Sequence, residues 1–177
     1  MSSQKTLALV LHRVVRDEMV EYEDVSVDVL SMIISFVKAQ EKIKSEVMSG
    51  IKPDKNILLT FDDGNSSDYE IVFPMLKNAS INAIFFIITS FVDTPGYLTW
   101  DQVREMSDAG MIFGSHSKSH KRMSTLSDVE FMSEIIDSKL SIDENIDVCD
   151  MFFSFPFGDF SYKQVDTILA SGYKSCF

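Results

Sequence analysis

The chain is short of positive charge relative to its acidic content. It has 16 lysine and arginine residues against 27 aspartate and glutamate residues, which gives a net charge of −11. This balance, with no lysine- or arginine-rich stretch to offset it, argues against nucleic acid or an anionic membrane as a partner. The 177 residues, 45% of them hydrophobic, are enough for a sizeable core. We therefore expect a single domain over residues 1–177.

Cysteines and long apolar stretches are also scarce. Cys149 and Cys176 have no metal-type spacing and form no disulfide framework, so we expect two unpaired thiols in a reducing compartment. The longest apolar stretch, residues 83–92, is too short to span a bilayer. The run at residues 7–11 is too short for a signal peptide and lacks a cleavage site. These features predict a cytoplasmic protein without a membrane span, although a chain whose leader had been removed would look the same.

Apolar, β-branched segments alternate with segments of helical period. The strand-like segments are residues 6–11, 57–61, 83–88, 111–114, 151–155 and 173–177. The pattern between them predicts helices over residues 25–47, 67–77, 99–110, 127–145 and 161–171. The alternation predicts a parallel sheet, either a barrel or a doubly wound sheet. A nucleotide-binding sheet of the second kind would need a G-x-G-x-x-G motif after the first strand, and this sequence has none.

Local signals mark where some of these helices begin or bend. Thr99 and Ser127 are each followed three residues later by an amide or acid, Gln102 and Glu130, which is the capping-box pattern. Pro74 is expected to kink the second helix or to end it early, because proline removes a backbone donor.

Acidic and imidazole side chains follow two of the predicted strands. Asp62 and Asp63 come directly after the second strand, and His116 and His120 follow the fourth. Taken alone, each motif has an ordinary interpretation, a turn for the first and a solvated surface pair for the second. However, two adjacent carboxylates repel each other unless a cation is near. Histidines four residues apart can also bind one metal ion if their segment is helical.

Together these side chains are sufficient for a catalytic metal site. Asp63, His116 and His120 would supply one carboxylate and two imidazoles with open coordination positions, a set that suits Zn²⁺ and also Fe²⁺, Co²⁺ or Ni²⁺. Zinc lowers the pKa of a bound water to about 7. Asp62 could then accept the proton of that water as a general base.

Three further features have both a structural and a functional interpretation. His12 ends the first strand, where it either bonds to the backbone or, if the first two strands are neighbours, serves as a general acid. The segment around Pro156 and Phe157 either forms a plain turn or points a backbone N–H at a developing oxyanion. Trp100, the only tryptophan, either belongs to the buried face of a helix, the favoured interpretation, or offers a platform for a sugar ring.

The set of motifs resembles the polysaccharide deacetylase family, the NodB-homology domain of carbohydrate esterase family 4. Residues 60–64, TFDDG, are similar to the family's first motif; residues 116–120, HSKSH, to its second; and residues 154–158, SFPFG, to its third. The resemblance implies that Asp62 is the general base and that the Phe157 N–H, after Pro156, helps to bind the oxyanion. It also implies one divalent metal ion, Zn²⁺ in the first place, held by Asp63, His116 and His120.

The sequence departs from this pattern at two points. Ser154 stands where many members have an arginine that orients the base, so we expect Asp62 to lack that partner. The late L-x-H motif that supplies the general acid is absent. Both departures fit the branch that resembles the biofilm poly-N-acetylglucosamine deacetylases. In that branch the acid histidine lies in an N-terminal segment similar to residues 10–14, VLHRV, which assigns the acid to His12.

The resemblance implies an α/β fold, a distorted (β/α)7 barrel of the NodB-homology type, partial or open at its C-terminal end. It implies a metal-dependent hydrolase that removes N-acetyl groups from an amino sugar, in a polysaccharide or a glycan precursor, and releases acetate. Two alternatives stay open. One is a deformylase or deacetylase of a lipid- or nucleotide-linked sugar, and the other is a non-catalytic sugar-binding relative.

Overall fold

The computed structural model describes residues 5–16, 21–46, 55–148 and 150–177. The strands are β1 Lys5–Leu11, β2 Val14–Val15, β3 Val25–Ser26, β4 Lys55–Phe61, β5 Ile84–Ile87, β6 Ile112–Ser115, β7 Phe152–Phe153 and β8 Ser175–Cys176. The α-helices are α1 Val27–Glu46, α2 Phe73–Ala79, α3 Trp100–Asp108, α4 Asp128–Asp143 and α5 Tyr162–Ala170. Cys149 lies outside the described residues, and Cys176 is a free thiol.

Six strands form one parallel sheet in the order β1-β4-β5-β6-β7-β8. Each of these strands lies beside the one that precedes it along the chain. A doubly wound sheet reverses its strand order at a switch point, so this order excludes that alternative. Within the described chain β1 and β8 are the two edges, which makes the sheet a half-barrel open at one end, the partial barrel that the sequence predicted.

A second, two-stranded parallel sheet was not predicted from the sequence. It pairs Val14 with Val25 and Val15 with Ser26. For this reason α1 begins at Val27, two residues later than the helical period suggested. The side chain of Arg13 fixes the same segment, because it makes two hydrogen bonds of 2.8 Å to Asp24.

The two helix starts predicted from capping boxes are confirmed, and the second predicted helix is irregular near Pro74. Thr99 and Ser127 are the N-caps of α3 and α4, and each forms a complete capping box. The second helix changes form just before Pro74: residues 68–72 are a π-helical turn, and α2 follows with the proline in its first turn. A proline cannot donate a backbone hydrogen bond and crowds the preceding turn, which accounts for the irregularity.

The core lies on the sheet and positions the strands for the site. Phe61, Phe85 and Phe113 occupy register-paired positions on β4, β5 and β6, and their rings stack with centroids 5.1 and 5.7 Å apart. Gly114 allows the neighbouring strands to approach, because a Cβ there would lie 2.7 Å from the Phe86 ring and 2.8 Å from a β7 carbonyl oxygen.

Within the described ranges no helix has the length and apolar character needed to cross a membrane.

Candidate active site

The carboxyl ends of neighbouring strands bring the predicted site residues together. Leu11 of β1 pairs with Phe61 of β4, and the Asp62 N–H donates to the Leu11 carbonyl at 2.9 Å. His12 and Asp62 therefore follow adjacent strands. This confirms that the first two predicted strands are neighbours, the condition under which His12 could serve as a general acid. A cleft of about 120 Å³ opens at this edge, and its lining residues are His12, Glu23, Asp62, Asp63, His116, His120, Phe155, Phe157 and Gly158.

Asp63, His116 and His120 converge on one point. Oδ1 of Asp63 lies 3.6 Å from Nε2 of His116 and 3.4 Å from Nε2 of His120. One ligand atom from each residue lies within 4.8 Å of the others. The two imidazole rings have centroids 5.0 Å apart. This is the grouping expected of two imidazoles and a carboxylate that share one ion.

The fit of this set to a metal ion can be judged from the oxygen of Asp63. Oδ1 is buried and has no hydrogen-bond partner within the described part of the chain. Its distances to the two ring nitrogens exceed those of an ordinary N–H···O hydrogen bond. A buried carboxylate oxygen without a donor is costly unless it has another electrostatic partner. The residues present therefore fit a divalent cation.

The surroundings of His116 select the tautomer that a ligand needs. Nδ1 lies 2.9 Å from the carbonyl oxygen of Ser154, which can only accept, so Nδ1 carries the proton. Nε2 is thereby left with a free lone pair facing Asp63. This arrangement is the outer hydrogen bond that metal-binding histidines commonly make.

Burial keeps both imidazoles neutral. It lowers the pKa of His116 to about 3, and the charge of His120 acts in the same direction. Burial also lowers the pKa of His120, although the neighbouring Asp63 opposes it. A neutral imidazole is the form that donates a lone pair to a metal. The contacts of these two histidines with Asp63 are accordingly not ion pairs at neutral pH.

The segment that carries the histidines is not a helix, so the helical geometry considered from the sequence does not apply. Ser117 and His120 have left-handed backbone conformations, with φ of 67° and 57°. The Ser117 hydroxyl accepts the His120 N–H at 2.9 Å and closes the loop. The rings meet because of this loop rather than because of helical spacing.

Asp62 is buried next to these three side chains and has a partner that the sequence did not predict. The Ser154 hydroxyl donates to Oδ2 of Asp62 at 2.9 Å. Asp62 thus lacks an arginine partner, as expected, but the serine at that position supplies a hydrogen bond that the sequence argument did not consider. Burial raises the pKa of Asp62 to about 6, and the bond from Ser154 opposes the rise. Oδ1 of Asp62 has no donor among the described residues.

His12 and Phe157 border the cleft. Nε2 of His12 lies 3.8 Å from the Glu23 carboxylate, and 27% of the His12 side chain is exposed. Phe157 has a left-handed φ of 61°, and its ring packs on His120 at 4.5 Å. The Arg122 guanidinium lies 4.8 Å from the centre of the same ring. Trp100 is partly buried and packs against the hydrophobic core, which agrees with the interpretation favoured from the sequence, the buried face of a helix.

Three acidic residues near the site escaped the sequence argument. Glu23 lies in an exposed turn two residues before β3, so nothing in its pattern marked it. Asp68 is fully buried beside the site; burial raises its pKa well above the usual value, and the charges of Asp63 and Asp62 add to the rise. Glu134 is buried in α4 and hydrogen-bonds to the histidine segment. For Glu134 a signal existed, since it lies on the apolar face of its helix with Phe131.

Comparisons with known proteins agree with the motifs. The sequence model of the polysaccharide deacetylase family matches residues 49–176. The putative polysaccharide deacetylase YxkH of Bacillus subtilis is 29% identical over 121 residues, which cover 68% of this chain and 43% of that protein. The poly-beta-1,6-N-acetyl-D-glucosamine N-deacetylase of Escherichia coli K12 is 35% identical over 81 residues, 37% of this chain and 12% of that protein. The chain thus spans less than half of either relative.

A solved structure shows the same fold. The structure of IcaB from Ammonifex degensii superposes with a TM-score of 0.82 at 21% identity, covering 98% of this chain and 83% of the other. At this identity the likeness concerns the fold alone. It agrees with the half-barrel described above.

Proposed function

Because the chain belongs to the polysaccharide deacetylase family, we propose that it is a metal-dependent hydrolase that removes N-acetyl groups from an amino sugar. The observation that carries the proposal is the convergence of Asp63, His116 and His120 beside the free, buried Oδ1 of Asp62. The sugar would belong to a polymer of N-acetylglucosamine, the substrate that the name of the Escherichia coli relative states for that protein.

Asp63, His116 and His120 would hold the divalent ion, with Zn²⁺ the first candidate and Co²⁺, Ni²⁺ or Fe²⁺ as alternatives. When bound, the ion would polarise the acetamide carbonyl and lower the pKa of a water molecule. The buried neutral imidazoles can ligate without losing a proton, which makes them effective ligands near neutral pH.

Asp62 would act as the general base. Its Oδ2 is occupied by the Ser154 hydroxyl, which leaves Oδ1 to accept a proton from water as the water adds to the carbonyl carbon. Its raised pKa, about 6, lies close to neutral pH, where a general base is most effective. The Phe157 N–H, beside the cleft, would hydrogen-bond the developing oxyanion.

His12 would act as the general acid. It lines the same cleft from the adjacent strand and can give a proton to the amine nitrogen as the C–N bond breaks. The products are acetate and a free amino sugar.

The test is acetate release from oligomers of β-1,6-linked N-acetylglucosamine by zinc-loaded protein, compared with Asp62→Asn. We expect acetate from the wild type and a rate at least about 100-fold lower in the variant, with metal content unchanged. Release of formate from N-formylated sugars but no acetate from N-acetylated ones would favour the deformylase. Oligosaccharide binding without either product would favour the non-catalytic module.

A further inference from the structure

We propose that Glu134 is a positioning residue that sets the affinity of the histidine loop, residues 116–120, for a divalent metal ion. The inference rests on the proposed metal site but is independent of the substrate. Glu134 lies on α4, outside every motif that pointed to the site, and only 6% of its side chain is exposed. A buried carboxylate requires strong partners, and both hydrogen bonds that Glu134 accepts come from Ser119 in this loop.

Glu134 binds the loop at the residue that precedes His120. Its Oε2 accepts the backbone N–H of Ser119 at 2.8 Å, and its Oε1 accepts the Ser119 hydroxyl at 2.5 Å. Nζ of Lys121 lies 3.5 Å from the same Oε1. The carboxylate therefore fixes both the main chain and the side chain immediately before one proposed ligand. Charge-assisted hydrogen bonds of this kind are stronger than neutral ones.

The same helix holds the loop at a second point, next to the other histidine. The Ser115 hydroxyl, one residue before His116, donates to the hydroxyl of Ser138 at 2.8 Å. Ser138 is four residues after Glu134 and lies on the same face of α4, about 6 Å along the helix axis. The two anchors on α4 are therefore spaced by one helical turn, and each contacts the residue before a proposed ligand.

This loop needs an external anchor because its backbone conformation is unfavourable. Ser117 and His120 both have positive φ, which costs roughly 1 kcal/mol or more for residues other than glycine. An unanchored loop would sample other conformations and would have to be ordered when the ion binds. Outer partners of metal ligands commonly change metal affinity about 10- to 100-fold when removed. The described residues provide His116, but not His120, with a buried carbonyl partner for its ring, so we expect Glu134 to matter most for His120.

A neighbouring carboxylate provides a matched control. Asp137 is on the same helix, three residues away, and it also contacts the histidine loop, through Nζ of Lys118 at 2.8 Å. That pair is exposed, with 44% of the Asp137 side chain and 46% of the Lys118 side chain accessible. Exposed pairs of this kind contribute little. Replacing either acid with its amide removes one negative charge from α4, but only Glu134→Gln disturbs the loop backbone.

The experiment measures the Zn²⁺ dissociation constant by competition with a chromophoric chelator, together with the visible spectrum of the Co²⁺ form. We expect Glu134→Gln to bind Zn²⁺ about 10- to 100-fold more weakly and to change the Co²⁺ spectrum. Asp137→Asn should bind within about 2-fold of the wild type. Ser119→Ala, which removes one of the two bonds and keeps the backbone contact, should fall between them; it also serves if Glu134→Gln does not fold.

Unchanged zinc affinity and an unchanged Co²⁺ spectrum in Glu134→Gln or Ser119→Ala would overturn the inference. So would a lower melting temperature of the metal-free variant with unchanged affinity, because that is the signature of a purely structural residue. Equal weakening by Asp137→Asn would also overturn it, since the cause would then be net charge. If the wild type itself binds no Zn²⁺ or Co²⁺, the proposed metal site fails and this inference fails with it, a result distinct from the other three.

Discussion

The Ser154 hydroxyl donates a 2.9 Å hydrogen bond to Asp62, while the backbone carbonyl of the same residue accepts one from His116 at 2.9 Å. One residue after β7 thus contacts both the proposed base and a proposed metal ligand. The first contact is made by the side chain and the second by the backbone. Replacing the side chain should therefore disturb the base and leave the ligand in place.

Ser154→Ala should lower kcat by roughly 10-fold, because a hydrogen bond to a charged group is worth about 1.5 kcal/mol or more. The bond lowers the pKa of Asp62 against the effect of burial, so its loss should raise that pKa. The acidic limb of the pH profile of kcat should accordingly move to higher pH. The measurement is acetate release as a function of pH at saturating substrate, with KM determined in parallel.

Ser154→Thr keeps the hydroxyl and provides the control for this prediction. It should recover most of the rate and return the acidic limb toward the wild-type position. A Ser154→Ala protein with unchanged kcat and an unchanged pH profile would show that the hydroxyl does not orient the base.

Asp62→Asn should make the metal-free protein more stable at neutral pH. An unfolded aspartate ionises near pH 4, whereas burial raises the pKa of Asp62 in the folded protein to about 6. Between these values the folded state binds more protons, so the contribution of Asp62 to stability falls as pH rises from about 4 to about 6. The variant escapes this loss and should be more stable by about 1–3 kcal/mol at pH 7.

The measurement is urea unfolding of both proteins with a chelator present, at several pH values from 4 to 8. The stability difference should be near zero at pH 4 and should grow to its full size above pH 6. His116, whose lowered pKa makes stability rise with pH, is present in both proteins and cancels in the comparison. A difference that does not depend on pH would contradict the ionisation of a buried Asp62.

The sequence predicted the elements and motifs well because those signals are local. Apolar periodicity placed the strands, and capping boxes placed the starts of α3 and α4 to the residue. The rule that parallel strands present their carboxyl ends at one edge then brought Asp62 and His116 together. What could not be predicted depends on tertiary contact. Ser154 and Asp62 are 92 residues apart in the chain, and no periodicity links them.

The two histidine rings come close together, but not through the helical geometry that their spacing suggested. A separation of four residues suits a helix, but the left-handed conformations of Ser117 and His120 produce the same convergence from a loop. Residues on α4 hydrogen-bond to Ser115 and Ser119, on either side of Ser117. Glu134 and Ser138 on the buried face of that helix were the available signal, since polar residues on an apolar face need partners.

His12→Gln should separate substrates by their leaving group. If His12 protonates the departing amine, its loss should slow N-acetyl hydrolysis by about 100-fold or more. p-Nitrophenyl acetate has a leaving group that departs without a proton, so its hydrolysis should fall far less. Asp62→Asn should impair both substrates, because both need an activated water. Equal losses on the two substrates in His12→Gln would contradict the role of His12 as the acid.

The proposed ligand set predicts that only two of the three histidines matter for metal binding. Purified protein loaded with Zn²⁺ and then desalted should contain about one ion per chain by elemental mass spectrometry, and His116→Ala should lose it. His12→Gln should retain the ion, because the structure places His12 beside Glu23 rather than among the three converging ligand atoms. Zinc at about 100 times its dissociation constant should stabilise the wild type by about 2.7 kcal/mol. The same addition should leave His116→Ala nearly unchanged. Full retention of zinc by His116→Ala would mean that the ion binds elsewhere, and the assignment of the site would be wrong.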